Sequence, residues 1–340
     1  MRQRFIQSFP TSKDIQTALD NKELGKPYVA LSREEPSIDW NTKVIDYTGM
    51  PLTFEIISGG TIGLIGKYNT ITNYEYQIND GEIVTGQAAG NVYTNISLNA
   101  GDVIKIRGFL NGQNGGLSVN PDADLVFNIY GNVASLGSAL VDLGLAGKHV
   151  INAENLVMLD HGFKYSGLFK GCTDLITAPE LPLTTLLYGF YQQMFYGCTS
   201  LTKAPKLPAT KLVDSCYDSM FRGCTSLTTA PELPATKLAS YCYRNMFNGC
   251  TSLTQAPELP ASELVNFCYD SMFRGCTNLN YVKAMFATTP GSSYTSNWLY
   301  GVASSGKFVK NPEATWDTDE TFARGSSTVP TNWTVENAKI

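Results

Sequence analysis

Met194-Phe195-Tyr196-Gly197-Cys198-Thr199-Ser200-Leu201-Thr202-Lys203-Ala204-Pro205-Lys206-Leu207-Pro208-Ala209-Thr210-Lys211-Leu212 is followed by near copies that begin at Met220 and Met246. A variant unit from Leu168 precedes them, with Phe190-Tyr191 where the others have Cys-Tyr, and a fifth from Met272 breaks off after Leu279. Cys172, Cys198, Cys224, Cys250 and Cys276 therefore recur every 26 residues. A fixed period of that length with leucines at constant offsets predicts a solenoid, because one unit alone cannot bury its apolar face. The spacing points Leu201, Ala204, Leu207 and Leu212 inward, with Phe195 and Cys198 closing the turn. Leu227, Ala230, Leu233 and Leu238 repeat that pattern one coil on. Ala204-Pro205 and Leu207-Pro208 rule out helix and favour extended backbone. Each coil is expected to hold a short strand, a proline-shaped corner and a second arm carrying Cys-Tyr and Met-Phe.

The units resemble the leucine-rich repeats of BspA-like proteins, known from surface proteins of gut and oral Bacteroidetes and from protists. The likeness covers about residues 168–286 and rests on the recurrence of G-C-[TS]-x-L followed by A-P-x-L-P. The tail resembles the terminal segment often attached to such arrays, through Asn297-Trp298-Leu299-Tyr300-Gly301 and Pro330-Thr331-Asn332-Trp333-Thr334-Val335. That resemblance implies adhesion or ligand display without enzyme activity.

Working towards the amino terminus, residues 134–167 read as linker and cap of the solenoid, and residues 47–133 as a β-sandwich or jelly roll. Leu52, Phe54 and Ile56 alternate with polar residues, as do Tyr74, Tyr76 and Ile78, and Asn79-Asp80-Gly81 and Asn99-Ala100-Gly101-Asp102 are turn signals. Gly60-Thr61-Ile62-Gly63-Leu64-Ile65-Gly66 and Gly144-Leu145-Ala146-Gly147-Lys148-His149 miss the phosphate-loop spacings and read as turns and a cap. Residues 1–46 read as an anchoring segment, with a short helix after the capping box Thr11-Ser12-Lys13-Asp14. Leu24-Gly25-Lys26-Pro27-Tyr28-Val29-Ala30-Leu31 and Ile38-Asp39-Trp40-Asn41 look like the docking segment of some tailed-phage head-fibre proteins. Tyr28, Ile38 and Trp40 are its candidate docking residues. The start Met1-Arg2-Gln3-Arg4-Phe5-Ile6 holds no apolar signal run, which favours a virion over a secreted bacterial adhesin. Residues 287–340 complete the mainly β architecture as a carboxy-terminal cap.

Composition limits the chemistry. Lys+Arg 25 against Asp+Glu 30 gives a net charge of −5, with no basic cluster suited to nucleic acid. Two histidines, His149 and His161, leave little room for His-based catalysis or metal ligation, and neither a catalytic set nor a cofactor is expected. Asp317, Asp319 and Glu320 read as a solvated acidic loop in preference to a weak calcium site, and a glycosidase carboxylate pair is the residual enzyme reading. No apolar run is long enough to enter a membrane. All eight cysteines fall in two columns within the repeats, read as buried thiols in preference to in-column disulfides. Tyr191, Tyr217, Tyr243 and Tyr269 form a further column, read either as coil-edge packing or as a ligand-stacking ladder.

Positions that vary inside a strict repeat are those the core does not dictate. Thr202, Thr228 and Thr254 form one such column; Lys203, Thr229 and Gln255 a second; Lys206, Glu232 and Glu258 a third. These nine residues are the candidate ligand face. The expected function is non-enzymatic recognition on a phage virion surface. Residues 1–46 would dock to a virion structural protein, with several copies together as a homo-oligomer, and the repeats would meet a host glycan or protein. The alternative setting is the bacterial cell surface.

Overall fold

A computed structural model describes residues 38–39, 44–45, 51–66, 72–79, 81–89, 92–109, 117–133, 143–158, 165–314 and 329–339. The chain divides into two compact units, residues 1–163 and 164–340. Tyr28, Trp40, the helix expected after Thr11, His161, Trp316 and the Asp317, Asp319, Glu320 loop lie outside the described residues. Ile38 belongs to strand β1 (Ile38–Asp39), which pairs antiparallel with β2 (Val44–Ile45).

The first unit is built of sheets. Its strands are β3 (Leu52–Ser58), β4 (Gly60–Gly66), β5 (Thr72–Ile78), β6 (Val84–Ala88), β7 (Thr94–Leu98), β8 (Val103–Phe109), β9 (Leu117–Pro121), β10 (Val126–Asn132), β11 (His149–Asn152) and β12 (Leu156–Val157). One sheet runs β11-β10-β3-β8-β5-β6, with β12 also on β10; the other runs β7-β4-β9. Alternation works as read: Leu52, Phe54 and Ile56 are buried, and Phe54 packs on Phe127 at 5.1 Å. The two turn signals also hold. Asn79 adopts a left-handed backbone, and the Asp102 carboxylate accepts from the Asn99 amide at 2.7 Å.

The glycine-rich stretch at 60–66 is not a turn. It is β4, the central strand of the smaller sheet. Its glycines make room: a Cβ at Gly63 would lie 2.7 Å from the Tyr93 ring, and one at Gly60 2.8 Å from Asp122 Oδ1. Residues 149–157, within the stretch read as linker and cap, instead add β11 and β12 in parallel to β10.

The second unit is a β-solenoid. Its repeats carry little formal strand, only the single-residue bridges Lys203↔Thr229, Lys211↔Lys237, Gln255↔Tyr281 and Leu259↔Ala284. The two prolines of A-P-x-L-P explain this, since each removes an amide donor from the ladder. Where Val282-Lys283-Ala284-Met285-Phe286 replaces that motif, a strand forms, β13 (Tyr281–Ala284). It pairs in parallel with β14 (Gly306–Lys310), and β14 with β15 (Trp333–Asn337). Tyr281 faces Lys307, one repeat period later, so the stack expected to end in a cap continues through β14 and β15.

The arm carrying Cys-Tyr and Met-Phe is neither strand nor helix. It is a run of tight turns in which amides alternate in direction. Gln192, Met194, Tyr196 and Cys198 each donate to the carbonyl three residues back. Tyr191, Gln193, Phe195 and Gly197 each donate to the next coil, at Cys216, Asp218, Met220 and Arg222. Every amide of the arm is thereby satisfied without a regular element. The turns ending at Phe190, Met194 and Cys198 have Gly189, Gln193 and Gly197 third, all with positive φ, the signature of type II turns. Gly171, Gly197, Gly223, Gly249, Gly275 and Gly301 hold the same position in successive coils.

The interior is a set of side-chain ladders. Phe169, Phe195, Phe221, Phe247 and Phe273 stack at 5.5–5.7 Å. Tyr191, Tyr217, Tyr243 and Tyr269 stack at 5.9–6.0 Å and are at most 1% exposed. Those tyrosines are core, and a ligand-stacking role is overturned. Trp298 and Trp333 are also buried. The repeat leucine at 212 and 238 is only half-buried; Ala209, Ala235 and Ala261 take the inward place.

Each of the eight cysteines is a buried thiol. Cys198, Cys224, Cys250 and Cys276 donate at 3.0–3.1 Å to the carbonyls of Phe169, Phe195, Phe221 and Phe247 in the preceding coil. A small, weakly polar donor suits that carbonyl, which already accepts one amide, because little desolvation offsets the contact. Burial pushes the Cys216, Cys224 and Cys276 thiols up to about 12. Thiolate, the reactive form, is then scarce at pH 8. An aromatic-disulfide thiol reagent should leave the native chain unlabelled and titrate eight thiols after denaturation; rapid native labelling would refute this packing.

Candidate functional site

The repeat forces its polar columns outward. In Leu201-Thr202-Lys203-Ala204-Pro205-Lys206-Leu207, Leu201, Ala204 and Leu207 are buried while Thr202, Lys203 and Lys206 are exposed. The next coils repeat this with Thr228, Thr229 and Glu232, then Thr254, Gln255 and Glu258, all exposed. All nine predicted positions are therefore solvent-facing. Columns are tied between coils by backbone: the Thr228 amide and hydroxyl both donate to the Thr202 carbonyl, at 3.0 and 3.1 Å. Lys203 bridges to Thr229, and Gln255 to Tyr281. Glu258 pairs with Lys283 at 2.8 Å, an exposed ion pair of small energetic weight. The face offers regularly spaced hydroxyls, an amide and mixed charges, which suits hydrogen bonding to a polar polymer or protein.

Among the described residues no group of three or more His, Cys, Asp or Glu could hold a metal ion. No helix among them is long and apolar enough to cross a membrane.

No family model, curated protein or solved structure matches the chain.

Two arrangements on the turn arm were missed by the reading of the sequence. The first is a polar column, Gln192, Asp218, Arg244 and Asp270, one residue per coil. Asp218 is 1% exposed and accepts from Arg244 Nη2 at 2.6 Å, Ser219 Oγ at 2.8 Å and Gln192 Nε2 at 3.1 Å. Hydrogen bonding to Asp218 is the main reason the Arg244 pKa rises above its usual value. The guanidinium also lies 4.9 Å from the Tyr241 ring centroid. Burial raises the Asp270 carboxyl above the usual carboxylate range, outweighing the bond from Ser271 and the attraction of Arg244.

A raised folded pKa means that the folded chain holds the Asp270 proton more tightly than the unfolded chain. Its contribution is present at low pH and is lost as pH climbs through the folded value. Asp270→Asn should therefore raise the unfolding midpoint at pH 7, with the gain vanishing as pH falls below about 4. Urea unfolding across that range checks it, and a gain that persists at acid pH would contradict it.

The second arrangement is an outer column made by the variable residue of M-F-x-G-C: Lys170, Tyr196, Arg222, Asn248, Arg274 and Tyr300. Lys170 Nζ lies 5.2 Å and Arg222 Cζ 5.6 Å from the Tyr196 ring centroid, and Arg274 Cζ 5.5 Å from that of Tyr300. Variation at this position was the available sequence signal.

Proposed function

We propose that the chain is a non-enzymatic recognition protein displayed on a phage virion, with residues 1–46 docking to a virion structural protein and the solenoid presented to the host surface. The observation that carries this reading is the division of labour within each coil. Phenylalanine, tyrosine, cysteine and leucine columns fill the interior, while the columns that begin at Thr202, Lys203 and Lys206 face solvent along the stack. A surface repeated coil after coil suits a repetitive partner, such as a glycan, more than a single small molecule.

The repeats are of the BspA-like leucine-rich kind in this reading, and the first unit is a jelly-roll-like spacer or second binding module. The likeness of Leu24–Leu31 and Ile38–Asn41 to head-fibre docking segments supports the virion setting. Deleting residues 1–46 should abolish incorporation into particles while the remaining chain still binds host surface glycans on an array. Retained incorporation would refute the docking role, and absence of array and host-cell binding by the full chain would refute recognition.

A further inference from the structure

The outer column on the turn arm alternates with the coils: cation, tyrosine, cation, asparagine, cation, tyrosine. With about 4.8 Å between stacked backbones, Lys170, Arg222 and Arg274 are spaced by two coils, about 10 Å. The cations are not loose. Tyr196 lies between Lys170 and Arg222, each within cation–π distance of its ring, and Arg274 is held over Tyr300. Lys170 Nζ also donates to Gln193 Oε1 at 2.9 Å. These contacts cut the side-chain freedom that binding would otherwise remove.

The countercharge is thin. From Tyr196 to Val213 and from Arg222 to Pro231 the chain has no Asp or Glu, although its net charge is −5. Asp174 flanks the first coil, and Asp270 acts on Arg274 through space. Asp218 is buried against Arg244. Beside the column run hydroxyl rows, among them Thr199, Thr225, Thr251, Ser200, Ser226 and Ser252.

We propose that this edge binds an acidic polysaccharide lying along the stack axis, its carboxylates meeting Lys170, Arg222 and Arg274. This deepens the recognition reading above, on which it rests, and puts the anionic ligand on the turn arm instead of the Thr202 face. An extended uronic-acid ribbon presents carboxylates to one side at every second sugar, which matches a cation at every second coil. Sugar hydroxyls then meet the threonine and serine rows. A single-stranded nucleic acid fits poorly. Its phosphates follow one another more closely than cations at about 10 Å, and its bases need open aromatic faces, whereas Tyr196 has a cation near it from the coil on each side.

The test is binding of the full chain to immobilised polygalacturonate, with dextran, single-stranded DNA and polyglutamate as alternatives. Polygalacturonate should bind best, with affinity falling as salt rises. Arg222→Gln with Arg274→Gln should weaken it about tenfold and flatten the salt dependence, while Lys203→Gln with Lys206→Gln leaves it within twofold. Circular dichroism and the urea midpoint establish that both variants fold, and Arg222→Lys with Arg274→Lys, which keeps the charge, should restore most of the binding. Equal binding of DNA or polyglutamate, equal loss in the Lys203/Lys206 variant, or no polygalacturonate binding would overturn the proposal. The recognition reading would survive that last result if the chain still bound host cells or neutral glycans.

Discussion

Phe221→Ala should destabilise the solenoid by about 3–5 kcal/mol. The ring is fully buried and stacked on two neighbours, Phe195 at 5.5 Å and Phe247 at 5.7 Å. Removing it opens a void in the middle of a column whose other rings are held by backbone bonds on both sides, so collapse is limited. The Phe221 carbonyl still accepts the thiol of Cys250, and its amide still reaches Met246, which fixes the gap in place. Phe169, at the start of the same ladder, stacks on one ring among the described residues, Phe195 at 5.6 Å. Phe169→Ala should therefore cost less, because in a solenoid a coil interacts with its neighbours only. Urea unfolding followed by circular dichroism compares the two, and equal losses would show that the ladder does not transmit packing from coil to coil.

Arg244→Met should cost about 3 kcal/mol, near the lower end for breaking a buried ion pair. The asymmetry of the pair decides this. The Asp218 side chain is 1% exposed and cannot regain water, whereas that of Arg244 is 37% exposed and can. Losing the guanidinium leaves a carboxylate with only Ser219 and Gln192 to hold it. Losing the carboxylate, in Asp218→Leu, leaves a cation that turns outward, so this variant should lose less. The double variant should recover stability relative to Arg244→Met alone. A double-mutant cycle by urea unfolding measures the coupling; additive losses would show that the contact carries no specific energy.

The repeat was legible because its core is repetitive: Cys, Leu and Phe at a constant period admit few arrangements other than stacking. The exposed columns at 202, 203 and 206 followed from the same register. The turn arm was not legible. Cys216, Tyr217, Met220 and Phe221 have apolar spacing close to that of a helix face, yet the backbone is a chain of type II turns. What separates the two is Ser215, Ser219 and Gly223, four residues apart, all left-handed. Only the glycine advertises that conformation, since serine occupies it at some cost. Tyr241 and Phe267 adopt it too, which no local rule anticipates. Strand β4 was hidden for the opposite reason. Its glycines signal turns, but they are set by the approach of Tyr93 and Asp122, side chains distant in sequence. The cation column is less legible because the third residue of M-F-x-G-C changes between cation, tyrosine and asparagine from coil to coil.

The amides of the turn arm that leave their coil all point the same way, from Gly167 to Gln192, from Phe195 to Met220 and onward to Gly275 and Tyr300. Peptide dipoles in such rows add instead of cancelling, as they do along a helix axis and largely do not across an ordinary sheet. The arm is therefore electrically polar, with carbonyl oxygens facing outward at its beginning and N–H groups at its far end. Its two ends are chemically unlike, so whatever closes the first must donate hydrogen bonds and whatever closes the last must accept them.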